Sequence, residues 1–207
     1  LANQLLLLRL LLKKLIKYFE SQADWRQGVS ELKKDFLTFR LGKEEFAVEI
    51  QRVQEIRGWE EPTPLPNVPK FVKGVVDLRG NVVPILDMRE KFRLAVSYDA
   101  TTVVIVVHVF TSQGERVVGL VVDAVSDVQQ FDMNSLQPAP DVGTTIDNQF
   151  ILGLTTLAPI QTQSSQANAE VSKPKGKMVI LIDLDKLTSE GLIEQVTTPR
   201  DMPVGNG

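Results

Sequence analysis

Three blocks of this chain occur twice in the same order, and that repetition constrains the fold more than any other feature. Gly42 to Ile56 (GKEEFAVEIQRVQEI) lies without a gap over Gly114 to Val128 (GERVVGLVVDAVSDV). Apolar positions coincide at Phe46/Val118, Val48/Leu120, Ile50/Val122, Val53/Val125 and Ile56/Val128. Phe71 to Leu78 then lies over Phe150 to Leu157, and Asn81 to Asp87 over Lys177 to Asp183. Valine-rich strands could imitate one such block by chance, but not three in register. Between Val75 and Val128, 16 of 54 residues are valine, a composition that favours strands. The expected class is therefore all-β, with a few short helices and two similar units of about five strands each. The first unit spans about 35–100 and the second about 101–196. Units of this size tend to curl into small barrels, which leaves few exposed sheet edges.

Turn chemistry divides the strands. Phe36–Leu41 and Phe46–Ile50 flank a turn through Gly42–Glu45, and Val53–Arg57 is a third strand. Pro62, Pro64, Pro66 and Pro69 forbid regular pairing, and Asn67 is placed to cap a short helix through Phe71–Lys73. Val75–Leu78 and Val82–Leu86 form a hairpin about Arg79-Gly80-Asn81. Val103–Phe110 and Arg116–Val122 form another, turning near Gln113-Gly114. Asp132 with Ser135 predicts a short helix before Pro138 and Pro140, Val179–Ile182 a last strand, and Thr188–Val196 a closing helix. Residues 159–176 have no apolar period and read as a flexible loop within the second unit. Residues 197–207 read as a disordered tail.

Composition removes whole classes of chemistry. Hydrophobic residues make up 43% and charged residues 24%, the balance of a folded globular chain. With no cysteine there is no disulfide, thiolate chemistry or Cys-ligated metal. A net charge of −3 does not predict a nucleic-acid coat. Residues 1–34 form a distinct Leu-rich extension, with seven Lys/Arg against three acids. Arg9, Lys13 and Lys17 recur on one helical face, while Leu5, Leu8, Leu12 and Leu15 line another. That pattern suits a membrane-surface or partner-docking helix, or an extension outside the fold. It lacks the unbroken apolar run of a membrane span and the charge-first order of a signal peptide.

Candidate chemistry is sparse. His108, the single histidine, follows a valine run and has no partner motif, so a structural role is expected. Asp87 and Asp183 end repeated strands and are expected to accept backbone hydrogen bonds in turns. Gly74-x5-Gly80 is not followed by the Lys-Ser/Thr of a phosphate loop. Neither a catalytic site, a metal nor a cofactor is predicted. For binding, alternation places Val53, Glu55 and Arg57 on one side of a strand, with Gln54 and Ile56 on the other. Arg79 stands at a hairpin tip with little core to enter. On this count Val53 supplies an exposed apolar floor and the charges set orientation.

The run Val53-Gln-Glu-Ile-Arg57, then Asn67-x-Pro69-x-Phe71-Val-Lys-Gly74-Val-x-x-Leu78-Arg-Gly80-x-Val82-x-Pro84-Ile-x-Asp87-x-Arg89, resembles the CheW family of bacterial chemotaxis coupling proteins. Gly119-x-Val121-Val-Asp123-x-Val125-Ser-Asp127-Val128 and Pro138-Ala-Pro140 fit the same pattern. The resemblance spans about residues 35–195. It implies two five-stranded β-barrels packed around a shared apolar seam. It also implies a non-enzymatic cytoplasmic adaptor between the signalling tip of chemoreceptors and the regulatory domain of the histidine kinase CheA. Val53, Glu55, Arg57, Gly74, Arg79 and Gly80 are the receptor- or kinase-binding candidates, and the membrane is met only through receptors. An adaptor of another receptor pathway, such as twitching motility, is the alternative, and a β-barrel enzyme a remote one. The Leu-rich extension and the 159–176 insertion lie outside the family pattern.

Overall fold

The computed structural model describes residues 33–112, 114–139, 148–157 and 176–188. The extension before Lys33, most of the 159–176 insertion, the helix expected after Thr188 and the tail lie outside the described residues. Ten strands follow one another: β1 (Lys33–Leu41), β2 (Glu44–Glu49), β3 (Val53–Gly58), β4 (Val72–Leu78), β5 (Asn81–Asp87), β6 (Val103–Thr111), β7 (Gly114–Val122), β8 (Ala124–Asp132), β9 (Ile151–Leu157) and β10 (Lys177–Ile182). Two short helices, α1 (Met88–Lys91) and α2 (Leu184–Thr188), follow β5 and β10. No described helix is long and apolar enough to cross a membrane.

The strands form two five-stranded sheets, as the repeat predicts, but each sheet draws on both halves of the chain. Sheet A has the order β8-β1-β2-β10-β9 and sheet B the order β3-β6-β7-β5-β4. Replacing every strand by its repeat partner turns one order into the other. The parallel pair β2–β10 of sheet A thus matches β7–β5 of sheet B. Each sheet takes two strands from one half and three from the other, so neither half of the sequence forms a sheet alone.

Alternation along the strands builds three cores. On β6, Val103, Ile105, Val107 and Val109 join Phe39, Phe46 and Phe92 in the seam shared by the sheets. Val104 and Val106 point the other way and meet Leu78, Val83, Ile85 and Val121 inside sheet B. Phe36, Ala47, Val179 and Leu181 fill sheet A in the same manner. The sheets therefore curl around their own interiors as the barrel expectation requires. Among the described residues their ladders remain open at β8 and β9 and at β3 and β4.

The outer side of each last edge strand is covered by a short segment. Thr63 exchanges both backbone hydrogen bonds with Val75 on β4, each 2.9 Å, and Gln137 does the same with Leu154 on β9. Such cover blunts an edge that would otherwise pair with another chain. No helix forms at Phe71–Lys73; Val72 opens β4, because the strand must begin there to pair with Leu86. The short helix predicted at Asp132 is a single 3-10 turn, Met133–Ser135, whose cap Asp132 accepts from Asn134 N at 3.0 Å.

Candidate functional site

The β4–β5 hairpin closes through a two-residue turn in which Arg79 (φ 55°) and Gly80 (φ 85°) are both left-handed. That combination matches the right-handed twist of the flanking strands. Gly80 N donates to Asp77 Oδ1 at 2.7 Å, which pins the turn. Glycine accepts such a conformation at no steric cost, whereas arginine does so against its own Cβ. Its side chain is 79% exposed and points Nη2 at Glu55 Oε2, 3.1 Å away. Glu55 sits on β3, so the ion pair links the two opposite edges of sheet B. Between those edges lies a cavity of about 20 Å³ lined by Arg57, Gly58, Glu60, Val76, Leu78 and others. Arg57 Nη2 lies 3.7 Å from Glu60 Oε2 at its mouth.

Val53 is not part of this surface. It is 2% exposed and packs in the seam shared by the sheets. The ladder shows why: Val53 pairs with Val107 but Glu55 with Val106, so Gln54 is the extra residue of a β-bulge. A bulge adds one residue on one strand and breaks the simple alternation beyond it. Val53 and Ile56 consequently share the core-facing side, while Glu55 and Arg57 face the gap between β3 and β4. The sequence expectation that Val53, Glu55 and Arg57 lie on one side is corrected by that single residue.

Gly74 is held for a backbone reason. Its φ is +140°, and a Cβ there would stand 2.1 Å from the carbonyl oxygen of Thr63, the segment that covers β4. Its repeat partner Gly153 is similarly crowded by Leu136, 2.9 Å from the position of a Cβ. Both permit the cover strand to approach. His108 Nδ1 lies 2.6 Å from Glu115 Oε1 across the β6–β7 hairpin, outside hydrogen-bond geometry. No group of three His, Cys, Asp or Glu among the described residues could hold a metal ion.

A buried polar network beside the site escaped sequence reasoning. Arg89 is 0% exposed and is bonded through Nε and Nη2 to Asp87, at 3.0 and 2.8 Å. Its Nη1 reaches Asp123 Oδ1 at 3.0 Å, and Asp123 Oδ2 accepts from Gly42 N in the β1–β2 turn of the other sheet. Tyr98 Oη donates to Asp87 Oδ2 at 2.8 Å. The Tyr98 ring lies over the Arg89 guanidinium at 4.7 Å and stacks on Trp59, at the end of β3, at 4.5 Å. Burial pushes the Asp87 carboxyl up, but the hydrogen bonds from Arg89 and Tyr98 and the guanidinium charge outweigh it and hold it below the ordinary value. For Tyr98, burial and the neighbouring Asp87 both push the hydroxyl up. Asp87 also caps α1 by accepting from Arg89 N and Glu90 N, and Asp183 accepts from Lys186 N. Those backbone bonds are the role predicted for both carboxylates; the Asp-x-Arg spacing at 87–89 was the available signal for the rest.

The fold and site together define a two-sheet binding module whose charged pair stands at an open sheet edge. The chain belongs to the CheW family: the CheW-like domain matches residues 35–191. It is 42% identical over 156 residues to the chemotaxis protein CheW of Klebsiella aerogenes, covering 75% of this chain and 81% of that protein. It is 34% identical over 154 residues to the chemotaxis protein CheW of Rhizobium meliloti, covering 74% and 86%. The crystal structure of the scaffolding protein TtCheW from Thermoanaerobacter tengcongensis is similar at a TM-score of 0.59 and 29% identity, over 76% of this chain and 94% of that one. Membership of this family makes the chain a chemotaxis scaffold.

Proposed function

We propose that this chain is a non-enzymatic adaptor that ties chemoreceptor signalling tips to the regulatory domain of CheA, in the cytoplasm at receptor arrays beneath the membrane. The observation that carries the reading is Arg79: an exposed guanidinium held at a left-handed turn position and aimed by Glu55. A backbone cost of about 1–2 kcal/mol for a non-glycine residue there persists most often where the side chain has a task. Glu55, Arg57, Arg79 and Gly80 form the proposed binding surface; Gly74 serves it only by letting the Thr63 segment cover β4, and Val53 belongs to the core seam. Rim charges of this kind set orientation and encounter rate more than raw affinity. The test is titration of the full chain with a receptor-tip fragment and, separately, with the CheA regulatory domain. Saturable binding to both is expected; binding to neither would overturn the reading.

A further inference from the structure

The strand that carries Glu55 is held at both ends. Beyond its C-terminal end, Trp59 N donates to Thr102 O at 3.2 Å and the indole stacks on Tyr98, which lies on the buried Arg89. Ahead of its N-terminal end, Arg52 Nε donates to His108 O at 2.8 Å, and its guanidinium lies 4.4 Å over the Phe110 ring. The same guanidinium is paired with Asp185 on α2, whose Oδ1 also accepts from Phe110 N at 2.8 Å.

The two anchors are repeat-related with their charges reversed. Continuing the overlay of Asn81–Asp87 on Lys177–Asp183 sets Arg89 over Asp185. Arg89 pairs with Asp123 at the β7–β8 junction, and Asp185 pairs with Arg52 at the equivalent β2–β3 junction. Each pair ties the helix after one sheet to the other half of the fold. They differ in exposure: Arg89 is fully buried, whereas the Arg52 and Asp185 side chains are 19% and 41% exposed. Salt screens exposed pairs strongly and buried ones little. The bulge at Gln54, one residue after Val53, leaves this end of β3 with an interrupted ladder.

We infer that Arg52 and Asp185 are positioning residues that couple α2 of sheet A to β3 of sheet B, so that loosening this pair frees the strand bearing Glu55. The link to partner binding rests on the proposed function; the coupling itself is a property of the free chain. The experiment is amide hydrogen exchange on the full chain, comparing about 0.05 M with about 0.5 M salt, and native chain with Asp185→Asn and Asp185→Glu. Both high salt and Asp185→Asn should speed exchange about threefold or more at Phe110 and along β3 where it pairs with β6. The amides of Gly42 and Arg89, bonded to Asp123 and Asp87, should change less than about twofold, and Asp185→Glu should restore protection. A change confined to Phe110, or a uniform change everywhere, would overturn the coupling. If Asp185→Asn does not fold, the salt comparison decides alone. A freed β3 with unaltered receptor and CheA binding would leave the coupling standing and remove β3 from the proposed binding surface.

Discussion

Arg79 on the β4–β5 turn and Glu55 on β3 are 3.1 Å apart, although β3 and β4 are the two outermost strands of one sheet. Only a strongly curled sheet brings its edges this close, and the ion pair spans the gap where backbone hydrogen bonds do not. The proposed binding surface is thus the unclosed side of a small barrel. Its charges stand over an apolar interior formed by Val76, Leu78, Ile85, Val104 and Val106.

Reversing Arg79 to Glu places two carboxylates at that gap. Because the guanidinium is mostly exposed, the change in folding stability should stay within about 1 kcal/mol. Receptor or CheA binding should weaken about tenfold or more, and the defect should shrink as salt rises. Adding Glu55→Arg should recover part of the loss. Thermal melts separate stability from titrated affinity, and equal binding by the native chain and Arg79→Glu would remove the pair from the mechanism.

Val53→Asp behaves differently. The valine is buried beside Val107 in the seam between the sheets, so the substitution forces a carboxylate without a partner into the core. A cost of about 3 kcal/mol or more is expected, seen as a much lower denaturation midpoint or as aggregation. A fully folded Val53→Asp chain with native stability would contradict the bulge.

How much of this was legible beforehand depends on the distance over which each feature is set. The strand class and the Arg79-Gly80 turn follow from patterns within a few residues, and both are present; the repeat follows from laying one half of the chain over the other, and the two sheet orders preserve it. The exchange of strands between halves is not local: β2 finds its parallel partner in β10, and nothing in the alternation of either strand names the other. Val53 was misplaced because counting by two assumes an unbroken ladder. The burial of Arg89 depends on Asp123, 34 residues away, being brought beside it. A four-residue helix such as α1 is too short to carry a periodic signal; its cap, Asp87, was the only mark.

The two turn-and-cover glycines should respond unequally to alanine. Gly80 has open space around a Cβ and only its φ to lose, a cost of about 1 kcal/mol. Gly74→Ala drives a methyl into the Thr63 carbonyl and breaks the cover of β4, which should cost about 2 kcal/mol or more. Chemical denaturation of the two variants orders them, and an equal effect would show that Thr63 moves aside freely.

Acid and alkali should act on the Asp87 network from opposite sides. Asp87 is held below its ordinary value in the folded chain, so its contribution is present above about pH 4 and fades as pH falls through the lowered folded value. Tyr98 is raised, so its contribution is complete below about pH 10 and is lost as pH rises through the folded value. Tyr98→Phe keeps the ring on Arg89 and Trp59 but removes the hydrogen bond to Asp87. It should cost about 1–2 kcal/mol at neutral pH, weaken the hold on the carboxylate so that the acid limb is smaller and ends at higher pH, and flatten the alkaline limb. Removing the cation is harsher: Arg89→Met leaves Asp87 buried without its charge partner, and a loss of about 3–5 kcal/mol is expected. Denaturation midpoints of the three chains from pH 3 to pH 11 measure all of this. Should Tyr98→Phe retain the native alkaline limb, the tyrosine hydroxyl would not be the group that titrates there.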